Sequence, residues 1–123
     1  MKARILIVDD QGELRKLVRM TLEYADYELH EAENGARALE LVKSVQPALV
    51  VLDVMMPGGM DGLEVCEIIK ARAESRKTRV LMLSAKGQLT DLEAGRRAGA
   101  DGYLVKPFSP LELIEKVERL LAA

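Results

Sequence analysis

Five polar positions stand out because each ends or follows a short apolar run. Asp9 and Asp10 follow the first run, 4–8; Asp53, after 48–52, ends the third strand; Ser84, after 80–83, ends the fourth; and Lys106 follows the fifth run, 102–105. Brought together, the three carboxylates would repel one another, and a hard divalent cation would relieve that repulsion. An all-oxygen set with few protein ligands and room for water suits Mg2+ better than zinc. Without the cation, at least one carboxyl pKa should rise. A carboxylate can also act as a nucleophile and form an acyl phosphate. A neighbouring ammonium and hydroxyl complete a set for phosphoryl transfer, in which the protein mainly positions groups and neutralises charge. Taken singly, an Asp after a strand is most often a turn or cap residue, and a Ser or Lys there is usually structural or solvated. The combination is the specific signal, and it does not choose among Asp9, Asp10 and Asp53.

Whether these residues meet depends on the elements that carry them. Runs of β-branched and aliphatic residues at 4–8, 28–32, 48–52, 80–83 and 102–105 alternate with stretches of helical spacing. Leu14, Leu17, Val18 and Leu22 share one helical face, as do Ala38, Leu39, Leu41 and Val42. Leu63, Cys66, Ile68 and Ile69 form a third stripe, and Leu111, Ile114, Val117, Leu120 and Leu121 the last. Asn34 is a cap residue for the second helix. Asp61 with Glu64, and Thr90 with Glu93, read as capping boxes. Ser109-Pro110-Leu111-Glu112 places a cap, a proline at the first helical position and an acid at N3. Gly99 suits a helix end, and Pro47 separates the second helix from the third strand. The pattern predicts an α/β fold, (βα)5, with a doubly wound parallel five-stranded sheet. The apolar first and third strands suit the centre and the polar second strand an edge, giving the order 2-1-3-4-5. All the polar strand-end residues then fall on one edge of the sheet, where ligands of such sheets bind.

The 123 residues suit one domain, 1–123. With 18 basic and 20 acidic residues the net charge is −2, which makes no electrostatic case for direct nucleic-acid binding. The single cysteine, Cys66, allows no internal disulfide, and no Cys/His spacing suggests zinc. No apolar run is long enough for a signal peptide or membrane span, so a reducing, cytoplasmic location and no membrane partner are expected.

At these residues the sequence resembles a two-component response-regulator receiver domain, of the flavodoxin-like, chemotaxis-receiver kind. The matching segments are Ile5-Leu6-Ile7-Val8-Asp9-Asp10, Leu52-Asp53-Val54-Met55-Met56-Pro57, Met60-Asp61-Gly62-Leu63-Glu64, Leu83-Ser84-Ala85, and Gly99-Ala100-Asp101-Gly102-Tyr103-Leu104-Val105-Lys106-Pro107-Phe108. The resemblance implies that Asp53 is the phosphoacceptor. Asp10, Asp53 and the backbone carbonyl of Met55 would hold Mg2+, with Asp9 acting through water. Lys106 would pair with phosphoryl oxygens, and Ser84 would move toward them. Tyr103 would be the aromatic switch that follows Ser84 inward, and the Lys106-Pro107 peptide would be cis. The phosphoryl donor would be a sensor histidine kinase or phosphotransfer protein. The readout would be a changed surface on the fourth helix, fifth strand and fifth helix, offered to an effector protein or a fused output domain. Dimerisation on activation through the fourth-helix surface is compatible with this. The family has one residue fewer between Pro57 and Asp61, so the loop at Gly58-Gly59 should bulge without moving Asp53. Ser84 replaces the commoner threonine and keeps the hydroxyl. Met55 and Lys86 are expected to influence the phosphoryl lifetime.

Other residues invite functional readings that are weaker than structural ones. His30 is expected on the edge strand away from the acids, Cys66 and Met56 in the core, and the Arg72, Arg76, Lys77, Arg79, Arg96 and Arg97 patches in solvent. The competing enzyme reading is a Mg2+-dependent aspartyl-nucleophile phosphohydrolase. Enzymes of that haloacid dehalogenase type need a second aspartate two residues after the nucleophile, where Met55 stands. A degenerate, interaction-only receiver is opposed by the intact Asp9, Asp10, Asp53, Ser84, Lys106 set. A flavodoxin-like cofactor carrier is opposed by the two acids after strand one.

Overall fold

Residues 2–56, 58–84 and 89–123 are described by a computed structural model. Lys86, Ala85 and Pro57, named above, lie outside them. β1 (Arg4–Val8), β2 (Glu28–Ala32), β3 (Leu49–Asp53), β4 (Arg79–Ser84) and β5 (Gly102–Val105) alternate with α1 (Gly12–Leu22), α2 (Gly35–Val45), α3 (Gly62–Ala71), α4 (Leu89–Ala98) and α5 (Pro110–Ala122). The strands form one parallel sheet in the order β2-β1-β3-β4-β5. Alternate residues of the central strands face opposite sides, as the two-residue repeat of a strand requires. Leu6, Val8, Val50, Leu52, Val80 and Met82 pack with Ala38 and Val42 of α2, Val65, Cys66 and Ile69 of α3, and Ala98 of α4. Ile5, Ile7, Leu49, Val51, Leu81, Leu83 and Leu104 pack with Val18 and Leu22 of α1 and Leu113 and Val117 of α5.

Local signals explain most helix ends. Asn34 Oδ1 accepts from the Arg37 N–H at 2.8 Å. Asp61 with Glu64 and Ser109 with Glu112 form complete capping boxes. Two helix ends use left-handed backbone, at Gln46 (φ 54°) before Pro47 and at Gly99 (φ 97°). At the foot of the sheet Lys70 donates to the Thr78 carbonyl and pairs with Asp101, both at distances near 2.7–2.8 Å. Edge strand β2 is lined by ion pairs, Arg4 with Glu28 and both Arg15 and Arg19 with Glu31. His30 also lies there, bonded to Glu28.

Several expectations need correction. Thr90 lies inside α4, whose first described residue is Leu89, and not before it. Leu17 and Leu111 are 52% and 62% exposed, so the apolar stripes of α1 and α5 are broader than the faces they bury. Leu113, absent from the expected stripe, is fully buried instead. As expected, Asp53 ends β3 and Ser84 ends β4, Asp53 pairing with Leu83 and Ser84 with Val105.

Gly62 is where the backbone comes closest to the site. Its N–H donates to the Val54 carbonyl at 3.0 Å, and a Cβ there would collide with the Asp53 carbonyl oxygen. Overpacking of this kind costs roughly 1–3 kcal/mol. Gly62→Ala should therefore lower the unfolding free energy from urea titration by about 1–3 kcal/mol, and an unchanged midpoint would mean that the loop yields freely.

Candidate functional site

The C-terminal edge of the sheet gathers the predicted residues. Asp53, the last residue of β3, and Ser84, the last of β4, are both buried. Lys106 follows β5, and its backbone N–H donates to the Ser84 carbonyl at 2.9 Å. That bond carries the lysine across to Asp53, whose Oδ1 it meets at 2.9 Å through Nζ. The same Nζ lies 3.8 Å from Asp9 Oδ2.

Asp9 is held on several sides. Its N–H donates to the Ala32 carbonyl at 3.2 Å. Its Oδ1 accepts from the Gln11 N–H at 2.9 Å, and its carbonyl accepts from Arg15 Nη1 at 2.7 Å. Asp9 Oδ2 is buried and has no hydrogen-bond partner among the described residues, and the same holds for Ser84 Oγ. Asp10 is exposed and opens the site to solvent. One carboxylate oxygen from each of Asp9, Asp10 and Asp53 lies within 4.8 Å of the others, a group that could hold a metal ion. An unpartnered buried oxygen and an all-oxygen donor set fit a hard cation.

Burial is the main cause of the site's electrostatics. It pushes the Asp9 carboxyl up to about 6, aided by the charges of Asp53 and Asp10 and opposed by the Gln11 N–H and Lys106. Burial also raises the Asp53 carboxyl, against the hydrogen bond and charge of Lys106.

Comparison with known proteins decides what this edge belongs to. The response regulator receiver domain profile matches residues 5–118. The chain belongs to that receiver family. The transcriptional regulatory protein SrrA of Staphylococcus aureus is 44% identical over 121 residues, 98% of this chain and 48% of its own. The chain thus spans about half the length of that curated relative. A response regulator from Chloroflexus aurantiacus superimposes with a TM-score of 0.95 at 34% identity, covering all of both chains. The chemotaxis response regulator CheY4 of Vibrio cholerae gives 0.90 at 32%, covering 98% of this chain and 99% of its own. Phosphoryl acceptance in two-component signalling is the function of this family.

The remaining predicted residues of the receiver are placed as follows. The Lys106–Pro107 peptide is cis. Met55 follows β3 with its side chain turned to solvent, while Met56 is buried. Tyr103 on β5 is half-buried, and its hydroxyl is enclosed without a partner among the described residues. Its ring rests on Gly95 of α4, where a Cβ would lie 2.7 Å away. Burial raises its pKa, with Arg96 opposing. Gly58 (φ 77°) and Gly59 (φ 88°) turn through backbone that favours glycine and line an open cleft with Asn34, Gly35, Ala36 and Met60. Asp53 remains the last residue of β3. Cys66 is buried and its thiol is pushed up to about 11, chiefly by burial. Sequence reasoning missed Arg15 and Gly62. The arginine's position six residues after Asp9, in the first turns of a helix, was the signal for the former.

Because the folded Asp9 holds its proton to about pH 6 against an ordinary 3.8, the metal-free native state binds more protons than the unfolded chain in between. Its stability should fall as pH rises through that window. In a chelator, Asp9→Asn should gain in Tm on the wild type between pH 4 and 7. Parallel Tm curves would show that Asp9 does not titrate there.

Proposed function

We propose that residues 1–123 act as one receiver unit in which Asp53 accepts a phosphoryl group from a phosphohistidine. The observation that carries this reading is the Lys106–Asp53 ion pair, at 2.9 Å, beside two further carboxylates. In the transfer, the N–P bond of the phosphohistidine breaks and its electron pair returns to the imidazole, which takes a proton from solvent. An Asp53 carboxylate oxygen forms the new O–P bond. Bound Mg2+ would neutralise charge on the transferring group. Asp10, Asp53, the Met55 carbonyl and, through water, Asp9 are the groups to hold it. Lys106 then pairs with phosphoryl oxygens in place of the carboxylate, and Ser84 turns its unpartnered hydroxyl toward them. Tyr103 follows, and the surface of α4, β5 and α5 changes.

The donor is a sensor histidine kinase or a phosphotransfer protein. A shallow cleft of about 290 Å3, lined by Gln11, Leu14, Leu17, Lys106, Pro107 and Phe108, opens beside the site and supports docking of a partly apolar partner there. The changed surface is read by an effector or fused output domain, with dimerisation on activation as one form of readout. Among the described residues no helix is long and apolar enough to cross a membrane, and the proposed location is the cytoplasm. The phosphohydrolase alternative gains no support, because Met55 supplies no second carboxylate.

Incubation with acetyl phosphate and Mg2+ should add one labile phosphoryl group, read by intact mass. Asp53→Asn should abolish that mass shift. Full labelling of the Asn variant would remove Asp53 from its assigned role.

A further inference from the structure

We infer that Arg15 is a positioning residue for the cation site, clamped by Glu31 so that it fixes the Asp9–Asp10 peptide and thereby aims Asp10. The inference rests on the reading that the three aspartates hold Mg2+. Arg15 lies on α1, and its side chain is only 20% exposed. Its Nη1 donates to the Asp9 carbonyl at 2.7 Å, a short charge-assisted bond. Its Nε donates to Glu31 Oε1 at 3.2 Å, and Arg19 Nη1 holds the other Glu31 oxygen at 3.0 Å. The guanidinium is thus tied at two points, to β2 and to the end of β1.

A peptide unit is planar, so fixing the Asp9 C=O also fixes the Asp10 N–H and Cα. Asp10 needs this. It is exposed, and among the described residues its side chain makes no hydrogen bond or ion pair. Where its carboxylate can reach is therefore set first by the backbone position of its Cα. Asp9 is secured independently by the Gln11 and Ala32 bonds, so loss of Arg15 acts mainly on the peptide that follows.

Charge and positioning predict opposite signs here. Removing a positive charge beside a cation site should tighten Mg2+ if charge were all that mattered. Removing a positioning group should weaken it. Groups behind metal ligands change affinity by roughly 10- to 100-fold, and a backbone contact belongs at the lower end of that range.

The test is Mg2+ titration by calorimetry on the wild type, Arg15→Met, Arg15→Lys and Glu31→Gln, without phosphodonor. The expected result is about tenfold weaker binding for both Arg15 variants and a smaller loss for Glu31→Gln. In labelling with acetyl phosphate, the Mg2+ concentration for half-maximal rate should rise while the rate at saturating Mg2+ stays near wild type. Equal or tighter Mg2+ binding by Arg15→Met overturns the inference. So does an unchanged affinity in Arg15→Lys. If circular dichroism shows Arg15→Met to be unfolded, Arg15→Lys and Glu31→Gln decide by the same criterion. A wild type that binds Mg2+ normally, with unaffected variants, sinks only the Arg15 assignment. A wild type that binds none sinks the cation reading with it.

Discussion

The structure turns on one contact between unlike charges in a place that disfavours charge. Lys106 meets Asp53 at 2.9 Å, while Asp9 and Asp10 stand within reach of the same carboxylate. Taking an ion out of water costs several kcal/mol even after relaxation. One ammonium does not offset that for two buried carboxylates with a third, exposed one beside them, and the raised Asp9 and Asp53 pKa values register the deficit. The edge of the sheet is therefore short of positive charge by construction. A bound cation would relieve the deficit, and in the proposed transfer the incoming phosphoryl group would give the ammonium a new anion to hold.

The parallel sheet is what makes such a deficit tolerable. β1 and β3 are buried throughout their apolar lengths, and the burial of those residues on both faces supplies the stability that the edge consumes. The ladder also couples the site residues through backbone. Ser84 and Lys106 share a hydrogen bond at the end of the β4–β5 pair, so the hydroxyl and the ammonium are held in register. The Ser84 hydroxyl and the Tyr103 hydroxyl are both enclosed and unpartnered among the described residues.

Much of this was legible in the residues. Apolar runs ended by Asp9, Asp53, Ser84 and Lys106 located the edge, and the polar β2 run located the rim of the sheet. Caps at Asn34, Asp61 and Ser109 are local chemistry and were readable as such. Thr90 failed because a cap-like spacing says nothing about where the preceding turn begins. Leu17 and Leu111 failed because periodicity identifies an apolar face but not how far its neighbour extends over it. Arg15 left only its spacing from Asp9 as a signal: a guanidinium on a backbone carbonyl leaves no pattern in side-chain type, and its partner Glu31 is on β2. The choice of Asp53 among three acids came from family resemblance and not from spacing.

The charged rim of β2 has a consequence for how another protein can read this one. A sheet edge is a template to which an extended segment can add. Here Glu28 and Glu31 hold Arg4, Arg15 and Arg19 along that rim, and charged side chains on an edge oppose strand addition. The opposite rim, β5, is four residues long, too short to offer much backbone to a visitor. Neither rim favours sheet extension, so the proposed partner surface on α4, β5 and α5 would be read through side chains.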